Sequence, residues 1–189
     1  MKLPRCTITT SMLVLRPLRR GTAWSTFHWT ENTEALDAME MSAPAWSRWR
    51  WYKVIRAYTG PSFITHEIWR RADNKLIGLH IAHVEGGRIA KLAIIIPDPA
   101  DRGANIAEEA RAVVIDLLFD RTPVKIVHGT VAARNFASAF LYQKLGFRQD
   151  AILKGRLLTD NGRIDKLVFS LLPDEWAANR PPLPKGTVT

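Results

Sequence analysis

The segment from Ala90 to Leu118 combines a short apolar strand, a glycine-containing loop and a periodic helix. The strand "AKLAIIIPD" ends at a proline, and the loop "RGANIA" (102–107) leads into a helix predicted over 103–120. The apolar side chains of that helix recur with the helical period: Ile106, Ala110, Val113, Val114, Leu117 and Leu118. A helix start exposes unpaired N–H groups, so this one can bind a phosphate. An ordinary turn before a helix is the alternative, because short glycine motifs often occur by coincidence.

Asn105 is the unusual residue of this loop, since it occupies a position that commonly carries glycine. Glycine allows a positive φ there and lets the backbone approach a ligand closely. Asparagine is among the residues that tolerate the left-handed region best. We therefore expect the loop to keep its shape with Asn105 in place.

Turn signals and hydrophobic periods divide the rest of the chain into alternating strands and helices. The predicted order is strand 12–18, helices 30–41 and 43–58, strands 62–71, 76–85 and 88–97, helix 103–120, strand 123–131, helix 135–147, and a hairpin around "TDNG" (159–162). An antiparallel meander followed by strand–helix–strand units predicts a mixed α/β (α+β) fold in which helices cover one sheet. Residues 1–178 are expected to form one domain, and the proline-rich segment 179–189 a flexible tail.

Composition limits the class of protein. A chain of 189 residues with 47% hydrophobic and 24% charged residues fits a single folded domain. No apolar run is long enough to span a membrane, and the single cysteine, Cys6, offers neither an internal disulfide nor a metal-binding spacing. Both features favour a cytoplasmic protein without a metal. The net charge of +9 would attract a nucleotide-like cofactor, an acidic substrate or nucleic acid, unless it is only a solvated surface.

A second motif, "NFASAFLYQKLGF" (135–147), places an amide, a hydroxyl and a phenol on one side of a short helix. Asn135, Ser138 and Tyr142 are three and four residues apart, so they share one helix face. Phe136, Phe140 and Leu141 lie largely on other sides and are expected to anchor the helix to the core. A helix cap, a small packing residue and a half-buried tyrosine are the alternative reading of the three polar residues.

Taken together and in this order, the two motifs resemble the GNAT superfamily of N-acetyltransferases. "LVLRPL" near the start and the ending "TDNGRIDKLVFSLLPDEW" are similar to the branch that acetylates the N-termini of ribosomal proteins. The resemblance extends over about residues 12–176 and is weakest between 25 and 75. It implies a single-domain fold whose mixed, mostly antiparallel sheet has six to seven strands and is flanked by about four helices.

The resemblance also implies acetyl-CoA as cofactor and a set of residues that hold it. The implied cofactor contacts are the backbone of Arg102, Gly103, Ala104, Asn105, Ile106 and Ala107 for the pyrophosphate, Ile94, Ile95 and Ile96 for the pantetheine arm, and Asn135, Ser138 and Tyr142 beside the thioester. Tyr142 has the usual position of the general acid, which protonates the departing thiolate. Ser138 is the alternative acid, because the ribosomal branch often has an apolar residue in place of the tyrosine.

The general base is less well defined. Glu67, His80, His83 and Glu85 lie on or beside the central strands, and strand alternation places only some of them on the open face. Glu67 is our candidate base, although a lone acidic residue or histidine on a strand more often has a structural role.

The leading functional interpretation is transfer of an acetyl group to a primary amine, on a protein N-terminus or a small molecule. One alternative is a non-catalytic relative that only binds acyl-CoA, because Asn105 is atypical and no base is evident. The other is a nucleic-acid-associated protein, suggested by the net charge and by Trp46, Trp49 and Trp51, which alternate with basic residues. A nucleic-acid partner is not favoured, since such aromatic residues commonly line the sheet or the acceptor cleft. A homodimer is compatible with the sequence.

Overall fold

A computed structural model describes residues 3–38, 41, 45–103, 105–159 and 162–189. For Ala38 it describes the backbone only. The strands are β1 (Ile8–Thr9), β2 (Leu13–Pro17), β3 (Phe63–Arg70), β4 (Lys75–Glu85), β5 (Ile89–Ile95), β6 (Ile126–Ala132), β7 (Arg148–Thr159), β8 (Gly162–Leu171) and β9 (Thr187–Val188). The helices are α1 (Thr22–Ser25), α2 (Thr33–Ala38), α3 (Arg48–Ala57), α4 (Ile106–Arg121), α5 (Phe136–Lys144) and α6 (Pro173–Asn179). Short 3-10 turns occupy Phe27–Glu31 and Pro99–Asp101.

All nine strands of the described residues form one sheet, in the order β7-β8-β6-β5-β4-β3-β2-β1-β9. Neighbouring strands are antiparallel except for β5 and β6, which are parallel. The predicted mixed α/β fold with a mostly antiparallel sheet is therefore confirmed. Two short strands at one end of the sheet, β1 and β9, account for the difference from the six or seven strands expected.

The parallel pair separates soon after it begins. Residues Ile89–Lys91 of β5 pair with Ile126–His128 of β6, but both strands continue for four residues beyond this contact without pairing to each other. Each strand remains paired on its other side, β5 with β4 and β6 with β8. The result is a wedge-shaped gap, with the carboxyl ends of both strands at its wide end.

Helices cover the sheet on both sides, and two hydrophobic cores result. On the face that we call the α4 face, α4 packs on a core that includes Leu13, Leu15, Ile64 and Leu92. On the opposite face, the α3 face, the core includes Trp29, Trp51, Ile55, Leu79, Ile81 and Ile95. Strand alternation sends neighbouring residues of β3, β4 and β5 to opposite cores. This alternation determines which face each polar residue of the central strands occupies.

The tryptophan-rich segment does not present a uniform aromatic surface. Helix α3 begins at Arg48, where the Ser47 side chain accepts a hydrogen bond from the Arg50 N–H (3.2 Å). Part of the predicted start of this helix, residues 43 and 44, lies outside the described residues. Trp51 is buried and donates its indole N–H to Thr26 Oγ1 (3.0 Å), whereas Trp49 is 67% exposed. Packing thus accounts for Trp51, as expected if the aromatic residues line the sheet.

The chain terminus also joins the sheet. Strand β9 pairs with β1, and Arg180 binds both carboxylate oxygens of Asp116 on α4. The segment predicted to be a loose tail is therefore docked at the sheet edge, and its flexibility stays a prediction. No helix among the residues described is long and apolar enough to cross a membrane.

Candidate active site

A cavity of about 220 Å³ lies in the gap between β5 and β6. Its lining comes from both strands, from α4 and α5, and from the α3 face: Tyr58, Phe63, Ile81, His83, Lys91, Leu92, Ala93, Ile94, Arg111, Thr130, Val131, Asn135, Ser138 and Tyr142. Asn135, Ser138 and Tyr142 were predicted to share one helix face, and the structure brings all three to this cavity. Ile94 joins them from β5.

Tyr142 lies at the point where the two strands separate. Its side chain is only 2% exposed, and its hydroxyl donates a hydrogen bond to the Leu92 carbonyl (3.1 Å). The ring stacks on Phe169, with centroids 5.1 Å apart and planes 5° apart. On β6, a Cβ at residue 129 would lie 1.8 Å from the Tyr142 hydroxyl, so only glycine leaves room for the phenol. Gly129 and Tyr142 together therefore hold the gap open.

Helix α5 is positioned by its first turn. The Asn135 side chain accepts a hydrogen bond from the Ser138 N–H (3.0 Å), which is the arrangement of an N-cap. Of the three residues expected to anchor this helix, Leu141 packs against the core, but Phe136 and Phe140 do not, because they are 78% and 64% exposed. They are four residues apart and lie together on the outer side of the helix, whereas Tyr142 and the following Leu145 are buried.

Arg111 projects from α4 toward the same cavity, and neither sequence motif indicated it. It is 2% exposed, and its guanidinium carbon lies 4.4 Å from the centroid of the Tyr142 ring. Nε and Nη1 are buried and have no hydrogen-bond partner. Burial lowers the pKa of Arg111, and the neighbouring Tyr142 opposes that shift. An arginine remains charged in proteins even so, which makes this a buried positive charge.

Two histidines share the α4 face with Arg111. His66 and His80 are directly opposite each other on β3 and β4, and both are buried. Burial lowers the pKa of His66 to about 4, against a weaker opposing effect of its contact with the Cys6 carbonyl (3.1 Å). The pKa of His80 lies well below its ordinary value because of burial, with Arg111 and His66 adding to the effect. Both side chains are therefore neutral near pH 7 and do not compensate the charge of Arg111.

The loop before α4 has the geometry expected of an anion-binding turn. Gly103 has a φ of 102°, and a Cβ there would meet no atom within 4 Å. Asn105 is in the left-handed conformation (φ 62°, ψ 17°), and its side chain does not cap the helix. Its Oδ1 instead accepts a hydrogen bond from Lys144 at the end of α5 (3.3 Å). The first-turn N–H groups of α4 therefore have no side-chain cap.

Arg102 fixes this loop to the end of β5. Its Nε donates to the Ile96 carbonyl (2.9 Å) and its Nη2 to the Pro97 carbonyl (3.0 Å). Ile106 is buried in the α4-face core, Ala107 follows it in the first turn, and Ala104 lies outside the described residues.

The three isoleucines predicted for the pantetheine arm do not share one environment. Because the Leu92 carbonyl faces the gap, strand alternation directs the backbone groups of Ile94 to the gap as well. Ile95 pairs with Leu79 of β4 and is buried on the α3 face. Ile96 follows the strand, and its carbonyl accepts the hydrogen bond from Arg102.

The candidate base Glu67 lies on the α3 face and does not line the cavity. Its carboxylate accepts hydrogen bonds from the Arg19 N–H (3.2 Å), the Thr22 hydroxyl and the Trp69 indole N–H (2.9 Å). His83 does line the cavity, stacks on Phe63 at 4.6 Å, and has Nδ1 3.3 Å from Glu85 Oε1. A role of Glu67 as general base stays a prediction, and His83 is a further candidate base because it lies at the cavity.

These features fit an acyl-CoA. The open surface at Gly103 and the uncapped start of α4 suit a pyrophosphate, and the gap beside β5 suits an extended arm. The Acetyltransferase (GNAT) domain matches residues 12–148, and the chain belongs to this family. GNAT acetyltransferases use acetyl-CoA as the acetyl donor.

Solved structures agree with the fold. The chain is similar to a GCN5-related N-acetyltransferase from Brucella melitensis, with a TM-score of 0.78 and 17% identity over 94% of this chain and 83% of the other. It is also similar to a spermidine N-acetyltransferase from Vibrio cholerae in complex with CoA and spermine (TM-score 0.77, 20% identity, 87% and 98% coverage). No protein of curated function matches the chain. At these identities the solved structures bear on the fold alone.

Proposed function

We propose that the protein is an acetyl-CoA-dependent N-acetyltransferase that acts on a primary amine of a protein N-terminus or a small molecule. The observation that carries this proposal is the Tyr142 hydroxyl in the gap between β5 and β6, with Asn135 and Ser138 on the same wall of the cavity. Family membership supports the same activity.

Acetyl-CoA supplies an activated thioester, and the reaction yields an amide, the free CoA thiol and no other product. The backbone of residues 102–107 holds the pyrophosphate, and the β5 edge at Ile94–Ile96 holds the pantetheine arm. Tyr142 donates its phenol proton to the departing sulfur, and Ser138 is the alternative donor. Backbone N–H groups of β5 that face the gap stabilise negative charge on the carbonyl oxygen.

For the base we propose His83 in preference to Glu67. His83 lies at the cavity, and the Glu85 carboxylate is beside its Nδ1. This contact favours the tautomer that carries its proton on Nδ1, so that Nε2 is the nitrogen that accepts a proton. The carboxylate of Glu67 already accepts three hydrogen bonds, so it is poorly placed to remove a proton from an amine.

The charge of the cavity bears on the acceptor. Among the described residues that line it, none is acidic, whereas Lys91 and Arg111 are basic. A polyamine would meet like charge there, so we propose an acceptor with a single amine. A protein N-terminus, as in the ribosomal-protein branch, satisfies this condition.

Thiol release across a panel of amines, with acetyl-CoA as donor, tests the proposed function. We expect Tyr142→Phe to lower kcat by about a hundredfold or more and to change the KM for acetyl-CoA little, because the proton is needed only as the thiolate leaves. Ser138→Ala is the matched control on the same helix face, and a larger loss there would make the serine the acid.

Two further measurements separate the alternatives. Acetyl-CoA should raise the melting temperature by mass action, and no rise at millimolar cofactor would contradict both enzyme and binder. Binding without turnover of any amine would favour the non-catalytic relative. A homodimer and a cytoplasmic location stay predictions, which sedimentation and cell fractionation would test.

A further inference from the structure

Arg111 is a buried positive charge that forms no salt bridge with the residues that the structure describes. Its Nε and Nη1 make no hydrogen bond, and the neighbouring Tyr142 favours its charged form. An uncompensated buried charge is costly, and an arginine fork is suited to bind a carboxylate with two parallel hydrogen bonds. A residue of this kind beside a cavity is therefore expected to meet an anion that arrives with the ligand.

The ionisable groups around Arg111 do not supply that anion. His66 and His80 on β3 and β4 are neutral, and Tyr142 presents its ring face. The two glutamates on its own helix are engaged elsewhere. Glu108 binds Lys144, and Glu109 accepts a hydrogen bond from Thr10. No carboxylate occurs among the described residues that line the cavity.

We infer that Arg111 binds a carboxylate inside this cavity, and that the carboxylate belongs to the acyl chain of an acyl-CoA of the succinyl type. This inference rests on the proposed function and extends its donor beyond acetyl-CoA. Arg111 projects from the helix whose start carries the proposed pyrophosphate loop, and it contacts Tyr142, the proposed acid. Tyr58, Phe63 and His83 line the cavity from the other side of the sheet, where the amine would enter.

Binding measurements with three donors test the inference without knowledge of the acceptor. We compare succinyl-CoA with butyryl-CoA, which has the same number of acyl carbons but no carboxylate, and with acetyl-CoA. Isothermal titration of the wild-type protein should give a Kd for succinyl-CoA at least about tenfold below that for butyryl-CoA. The reason is that butyryl-CoA has no carboxylate to accept hydrogen bonds from Arg111. Equal affinity for the two donors overturns the inference.

Variants of α4 identify the group responsible. Arg111→Met keeps the length of the side chain and should abolish the preference, whereas Arg111→Lys should keep part of it because the charge remains. Arg121→Met is the matched control, since Arg121 is an exposed arginine at the last position of the same helix. It should keep the wild-type ratio of the two Kd values. If Arg111→Met keeps that ratio, or if Arg121→Met lowers it equally, the inference is wrong.

Two additional comparisons separate the remaining readings. If acetyl-CoA does not bind, the proposed function fails; if it binds and succinyl-CoA has no advantage, only this inference fails. The carboxylate could instead belong to the acceptor, so we compare 4-aminobutyrate with butylamine in the presence of CoA. A preference for 4-aminobutyrate that disappears in Arg111→Met, without any preference among the donors, overturns the assignment to the acyl chain.

Discussion

Glu67 and Arg111 are both buried charged residues of the central region, but they lie on opposite faces of the sheet and have opposite surroundings. On the α3 face, Glu67 accepts hydrogen bonds from a backbone N–H, a hydroxyl and an indole. On the α4 face, Arg111 leaves two nitrogens without a partner and lies at a cavity. The fold supplies three hydrogen-bond donors to the first charge and leaves two nitrogens of the second without a partner.

The difference separates a structural charge from one that is suited to a ligand. A carboxylate held by three donors stabilises the elements that supply them, here the α1 segment and β3. A guanidinium with free nitrogens destabilises its own fold until an anion binds. Burial alone would have assigned both residues to the same category, whereas the count of hydrogen-bond partners distinguishes them.

The largest expected change in stability comes from removing Glu67, the charge that accepts three hydrogen bonds. Glu67→Leu leaves the Arg19 N–H, the Thr22 hydroxyl and the Trp69 indole N–H without their acceptor, so we expect the free energy of unfolding to fall by about 3–5 kcal/mol. Urea denaturation measures it. If Glu67 were the general base instead, Glu67→Gln would remove most of the turnover of the folded protein, whereas a structural Glu67 predicts turnover close to that of the wild type.

Acid should weaken the α4 face. The pKa of His66 is about 4 when folded and near 6.5 when unfolded, so below pH 6.5 the unfolded chain binds the proton that the folded chain excludes. Stability therefore falls as the pH decreases from 6.5 to 4, and His66 alone contributes a loss of about 3 kcal/mol.

Unfolding at a series of pH values measures this loss, and two variants locate it. His66→Leu should flatten the pH dependence between pH 6.5 and 4, because it removes the imidazole that the unfolded chain protonates in this range. His28→Gln is the control, since His28 is exposed. An unchanged slope in His66→Leu would show that acid acts elsewhere.

The gap itself can be tested at Gly129. In Gly129→Ala the new methyl group would overlap the Tyr142 hydroxyl, whose ring is held by Phe169 and Arg111. We expect a loss of stability of about 1–3 kcal/mol and a displaced phenol, hence lower turnover. If Tyr142→Phe is combined with Gly129→Ala, part of the stability should return. Equal stability of the single and double variants would contradict this account of the gap.

The second half of the chain was predictable because local signals and tertiary structure agree there. The helix expected over 103–120 spans Ile106–Arg121, and Asn105 has the positive φ that its loop position requires. The polar face of α5 reaches the cavity as its spacing indicated. Phe136 and Phe140 show the limit of such reasoning, since hydrophobicity predicted burial and the short helix turns them outward.

Arg111 could not have been identified from sequence, because a charged residue in a helix is normally exposed. Its burial depends on the position of α4 over His80 and Tyr142, which only the assembled sheet defines. The roles of the first 60 residues were equally difficult to predict, since α1 and α2 are short and carry weak periodic signals. Glu67 finds two of its three donors in that region.

The smallest expected change in stability is an increase, and it distinguishes Arg111 from Glu67 most clearly. Without ligand, Arg111→Met should raise the free energy of unfolding by about 1 kcal/mol, because an apolar side chain of similar length replaces an unpaired buried charge. Thermal denaturation without CoA measures it, with Arg121→Met as the control for net charge. Glu67→Leu removes a charge of equal size and should lower stability. A loss of stability in Arg111→Met would mean that protein atoms already satisfy the guanidinium, and the distinction between the two faces would then disappear.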